Sequence, residues 1–204
     1  MFERNNFLTV FILLFCLSQS ILSFAQEDLF GMMREETSEI ELLPQKMIFT
    51  QRLLWGEKGL MRKTKWSLLT LEQREKELKI RRKMLKAHQV IGFVTLAGMI
   101  TQGIVGTQLY KRNYSNYEFH KTIGSLTSIS YFSGAGLSLF APPPLINKKT
   151  KGLSSAQAHK YLATIHFSAM VATNLLADVN RKLHRAAAFT AFGSYTTAIL
   201  VFKF

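Results

Sequence analysis

With 204 residues, 48% of them apolar, the chain has material for a sizeable core and too much apolar content to be disordered throughout. Its formal charge of +13 demands a counterpart: nucleic acid, anionic lipid headgroups, or an acidic protein or small anion. The one cysteine, Cys16, lies in the first apolar block. A chain that loses that block has no thiol for disulfides, zinc knuckles, iron–sulfur clusters or covalent c-type haem.

That block, Phe7 to Ala25, comes first in chain order. FLTVFILLFCLSQSILSFAQ has an apolar centre and then Ser-Phe-Ala before Gln26, the arrangement of a secretory signal peptide cleaved after Ala25. MFERNN sets one Arg against one Glu, so an uncleaved anchor helix is the alternative. Phe15 stands where a lipoprotein signal wants a small residue, and Cys16 reads as a buried apolar side chain. Residues 26–45 are acidic and contain Pro44; residues 46–87 turn basic. MIFTQRLLWGEKGLMRKTKW predicts an amphipathic turn or two, interrupted at Gly56 and Gly59. From Thr70 the run TLEQREKELKIRRKMLKAH predicts a helix, with Thr70 as N-cap, Gln73 three residues on, and supporting Glu-to-Lys spacings. It continues into the first apolar span.

Four segments follow: His88 to Tyr110, His120 to Ala141, His159 to Ala177 and His184 to Phe202. At about 1.5 Å per residue each can cross about 30 Å of hydrocarbon, the third only just. Charges retreat into short islands between them, whereas a soluble helical protein puts charges on every helix. The second segment is crowded with Gly, Ser and Thr, which suits close packing in a membrane; APPPL ends it, and NKKTKG is the most basic loop. The expected architecture is all-α: a signal peptide or anchor over 1–25, a charged extramembrane segment over 26–87, and a four-helix antiparallel transmembrane bundle over 88–204.

Each of the four segments opens on a histidine followed at the fourth position by a small residue: HQVIG, HKTIG, HKYLA and HRAAA. Consecutive spans joined by short loops run antiparallel, which puts His88 and His159 near one membrane face and His120 and His184 near the other. Two neutral imidazoles from different helices can supply both axial positions of a haem iron, which favours electron transfer over oxygen chemistry. A macrocycle against the ligand-bearing helix would strike the residue one turn along, and Gly92, Gly124, Ala163 and Ala188 give it room. A single His at a helix start is an ordinary interfacial anchor; four with the same local spacing point to ligands. His166, seven residues after His159 on the same face, is the alternative to His159 or a neighbour of the haem.

On these four motifs, His88 to Phe204 resembles the cytochrome b561 family of transmembrane diheme proteins. The resemblance implies two noncovalent haem b groups, first span paired with third and second with fourth. It also implies an oxidoreductase role, passing electrons across the membrane from ascorbate or a related donor toward ferric iron or another acceptor.

The signal places residues 26–87 outside the cell or in the periplasm, beside His88 and His159. Arg81, Arg82, Lys83, Lys86 and Lys160 can there neutralise haem propionates or guide a small anionic reductant, and contact with lipid headgroups is the alternative. Two other functions compete: a cofactor-free membrane scaffold or assembly subunit whose basic 46–87 segment docks a partner, and a copper or zinc protein using the same imidazoles. Zinc sites show tighter spacing or carboxylate company. Nucleic acid is disfavoured, since the basic groups border spans with no interleaved aromatic surface motif.

Overall fold

The Thr70 hydroxyl accepts a hydrogen bond from the Gln73 backbone N–H and starts the longest helix of the chain. Around it, the computed structural model describes residues 41–111, 114–145 and 154–201, and all regular elements among these are helical. In chain order they are α1 (Phe49–Trp55), α2 (Leu60–Lys63), α3 (Leu71–Tyr110), a 3-10 turn (Tyr114–Asn116), α4 (Tyr117–Leu139), α5 (Ser155–Leu175) and α6 (Arg181–Val201). The expected signal peptide, Cys16 and the NKKTKG loop lie outside the described residues. Residues 42–204 form one compact unit, so the basic segment from 42 onward belongs to the same body as the long helices.

The helices start earlier than the apolar runs suggest. In α5, Ser154 forms a capping box: its hydroxyl accepts from the Gln157 N–H, and the Gln157 side chain accepts from the Ser154 N–H. Asn180 caps α6 by accepting from the N–H groups of Lys182 and Leu183. His120, His159 and His184 therefore sit inside the first two turns of α4, α5 and α6, and His88 lies well inside α3.

Polar groups of neighbouring helices set the register. Between α3 and α4, His88 meets the Gly134 carbonyl, Thr95 meets Ser130, and Gln102 donates to the His120 carbonyl, so rising residue numbers on one helix meet falling numbers on the other. The same antiparallel order joins α5 to α6 through His159 with Ala198 and His184 with Thr173. It joins α3 to α6 through Tyr195 with Gly92 and Arg181 with Leu109. Across the middle, α4 meets α5 through Tyr131 with His166 and Ser128 with Asn174.

The core between the four helices is small: Met99, Tyr131, Met170 and Tyr195, flanked by Leu96, Phe192 and Ile199. Thr95, Thr127 and His166 are buried with them, while Val94, Ile104, Leu126, Ile129 and Leu175 are exposed. A few polar side chains thus share the apolar core, and many large apolar ones remain uncovered. α3 is long and apolar enough to cross a membrane, the one such helix among the described residues.

The segment before α3 closes the end of α4. The last carbonyls of a helix have no partner within it. Here Thr50 donates to the Leu139 carbonyl at 2.6 Å and Trp55 Nε1 to the Phe140 carbonyl at 2.9 Å. Arg81 donates to Pro142, and Arg74 to Pro143, Pro144 and Leu42. Proline offers no N–H, so the Pro142–Pro144 run presents only acceptors, and two guanidinium groups meet them. Glu77 balances the charge: buried, it pairs with Arg62 and Arg74 and accepts from the Ser67 hydroxyl at 2.5 Å.

Candidate paired-histidine sites

Three of the four imidazoles expected to open spans are oriented in one way. His88 Nδ1 lies 2.8 Å from the Gly134 carbonyl, His184 Nδ1 2.8 Å from that of Thr173, and His159 Nδ1 3.2 Å from that of Ala198. A carbonyl can only accept, so Nδ1 carries the proton in each ring and Nε2 becomes the nitrogen with the lone pair. An outer hydrogen bond of this kind, from the far ring nitrogen to a backbone carbonyl, fixes tautomer and ring angle in metal-bound histidines. The fourth, His120, has no such bond: its Nδ1 is buried without a hydrogen-bond partner. An orphaned buried ring nitrogen is costly unless something else meets it.

The rings also lie at two levels. Tyr195 binds the Gly92 carbonyl one turn beyond His88, and His159 binds Ala198 three residues beyond Tyr195, so His88 and His159 share a depth and lie within electrostatic reach of each other. At the other level, His120 and His184 have ring centroids 6.4 Å apart with planes at 79°. With metal–nitrogen bonds of about 2 Å and about 1.1 Å from nitrogen to ring centre, two imidazoles on opposite sides of one ion have centroids about 6 Å apart. The His120–His184 pair fits that spacing. From His88 to the Gln102–Gly106 stretch that meets His120, α3 rises about 21–27 Å, close to the thickness of a hydrocarbon core.

α3 lies along α4, α5 along α6, and the two hairpins meet through α3 and α6, while His88 and His159 project from α3 and α5, and His120 and His184 from α4 and α6. Among the described residues no cluster of three or more His, Cys, Asp or Glu converges on one point, so each level offers a pair of imidazoles.

The small residues divide into two groups. A methyl at Gly92 would meet the Tyr195 hydroxyl at 3.4 Å, and one at Gly124 would meet the Gln102 amide at 3.6 Å, so each receives a polar side chain from a neighbouring helix. Ala163 and Ala188 are half-buried. Sequence reasoning missed the two glycines that touch the imidazoles: a methyl at Gly106 would come within 3.0 Å of His120 Cε1, and one at Gly134 would lie 3.8 Å from His88 Nδ1 and 3.2 Å from Ile91. Both stand across the α3–α4 hairpin from the histidine they admit. The visible signal was the GIVG and GAG spacing, which needs the hairpin register to interpret.

His166 is buried. Its Nδ1 lies 2.5 Å from the Tyr131 hydroxyl, its ring packs edge-on to Tyr131 and Tyr195, and it is within electrostatic reach of His88 and His159. It is a buried neighbour of the first pair. Of the cations expected near that pair, Arg81 is committed to the Pro142 carbonyl, while Arg82, Lys83, Lys86 and Lys160 are exposed. No protein-family model, curated protein or solved structure matches the chain.

Proposed function

We propose that the chain is a multi-pass membrane cytochrome in which α3 to α6 form a transmembrane bundle holding two noncovalent b haems, one between His88 and His159 and one between His120 and His184, and that it carries electrons from one face to the other. The observation that carries the proposal is the shared ring orientation: Nδ1 of His88, His159 and His184 is tied to a backbone carbonyl, so each presents Nε2. The uncovered apolar side chains of α3 to α6 and the length of α3 support the membrane setting, and the 6.4 Å His120–His184 spacing supports a shared iron.

A haem held by two of these imidazoles would supply one-electron iron chemistry. The protein's own residues hold and insulate. The carbonyls of Gly134, Ala198 and Thr173 fix the rings, and Gly106 and Gly134 let His120 and His88 lie close to the neighbouring backbone. Met99, Tyr131, Met170 and Tyr195 fill the interior. Arg82, Lys83, Lys86 and Lys160 form a positive rim on the side of the first pair, suited to a small anionic reductant.

The detergent-purified protein should show a low-spin Soret band, a sharp alpha band on dithionite reduction, and about two haems per chain. His120→Ala should halve the haem content and leave the His88–His159 centre coloured. A colourless, folded protein from cells supplied with haem would sink the proposal and favour the scaffold function.

A further inference from the structure

α1, α2 and the turn into α3 combine two features that the haem sites do not use. Their apolar side chains point away from the protein: Phe49 and Trp66 are 75% and 78% exposed, and Leu53, Leu60 and Leu68 are each at least half exposed. Between residues 46 and 65 there are six cations, Lys46, Arg52, Lys58, Arg62, Lys63 and Lys65, against the single carboxylate of Glu57. Only Arg62 among them is drawn inward to Glu77.

The depth of this segment is fixed by hydrogen bonds. Thr50 and Trp55 bind the carbonyls of Leu139 and Phe140, the last residues of α4, so α1 lies level with that helix end. Leu139 and Phe140 are themselves partly exposed, which continues the apolar surface of α4 onto that of α1. If α4 crosses the bilayer, its end marks the boundary between acyl chains and headgroups. An element at that depth with Phe, Leu and Trp on one side and Lys and Arg around them has the composition of an interfacial anchor.

We infer that residues 46–69 form a monotopic foot that lies in the headgroup layer of an anionic leaflet, with Phe49, Leu53 and Trp66 in the upper acyl region and Lys58, Lys63 and Lys65 on lipid phosphates. The occupant is lipid because the apolar surface continues that of α4 and the charge is complementary to anionic headgroups. The foot rests on the membrane-spanning part of the proposed function and is independent of the haems.

Trp66 is a built-in reporter, and buried Trp55 is its internal control. The full chain is reconstituted into vesicles whose minority anionic lipid carries bromine near the headgroup end of its acyl chains, and tryptophan emission is compared with that of Trp66→Phe. The Trp66 component should be blue-shifted and quenched about twofold, and more strongly than when the same fraction of zwitterionic lipid is brominated. Lys63→Ser with Lys65→Ser should remove the preference for anionic lipid while leaving quenching in place, and free inorganic phosphate should change neither. A water-like, unquenched Trp66 in protein that still floats with the vesicles would overturn the foot and spare the spans. Protein that does not float would overturn the spans themselves. Shielding of Trp66 that depends on protein concentration and not on bromine would assign the surface to a second copy of the chain and overturn the foot.

Discussion

Glu77 is the residue on which the amino-terminal segment depends. Burial alone would raise its carboxyl, but hydrogen bonds from Arg62, Ser67 and Arg74, with the charge of Arg74, outweigh burial and hold it below the ordinary carboxylate range. A folded-state value below the unfolded one contributes stability that is complete above the ordinary carboxylate range and disappears as pH falls through the lowered folded value. The 42–77 segment should therefore stay closed in mild acid and loosen only once pH falls below the ordinary carboxylate range, read as increased pepsin cleavage around Leu53 and Leu60. Glu77→Gln leaves Arg74 buried without its counter-charge and should cost about 3–5 kcal/mol, measured as a fall in unfolding midpoint. Glu72→Gln, whose pair with Lys76 is exposed, should leave the unfolding midpoint nearly unchanged. None of this difference is legible in TLEQREKELK. Arg74–Glu77 and Glu72–Lys76 look alike as near neighbours on a helix, and only the prolines of a distant loop decide which pair is buried.

At the scale of elements, the all-helical class, the Thr70 cap and the stop at APPPL were readable because each depends on local chemistry. The span starts were misjudged for a physical reason. Apolar runs mark where a helix enters a dry environment, while capping marks where the helix begins, and at Ser154 and Asn180 the two are several residues apart. Ser154→Ala should cost about 1 kcal/mol and fray the start of α5, seen as faster amide exchange over Ser155–Ala158. The pairing of histidines by level was derivable from alternating helix direction, and the carbonyl partners were not, because they belong to the far ends of other helices. Gly106→Ala puts a methyl within 3.0 Å of His120. Under the proposed function it should perturb the spectrum of one centre and leave the other unchanged, read by redox titration of the two components.

At the scale of the molecule, large apolar side chains among the described residues stay uncovered while a few polar ones are enclosed. Thr95, Thr127 and His166 are inside, and Val94, Ile129 and Leu200 are outside. Single cysteines placed at these three outer positions should stay unlabelled by a membrane-impermeant maleimide in intact vesicles. Cysteines at Lys83 and Lys111, at the two ends of the apolar stretch of α3, should label from opposite sides. Labelling at both ends from one side would contradict a span. The Cys16→Ser background is needed, because that thiol is the only native one.

The bonds from Thr50 to Leu139 and from Trp55 to Phe140 join residues 89 and 85 positions apart. During synthesis at about 5–20 residues per second, the amino-terminal clamp waits several seconds for its acceptors to be made. Through that interval the Trp55 indole has no carbonyl to meet, and the arginine pair has no proline turn to hold. Until the second long helix is complete, water must meet those donors, so the clamp can close only late in synthesis.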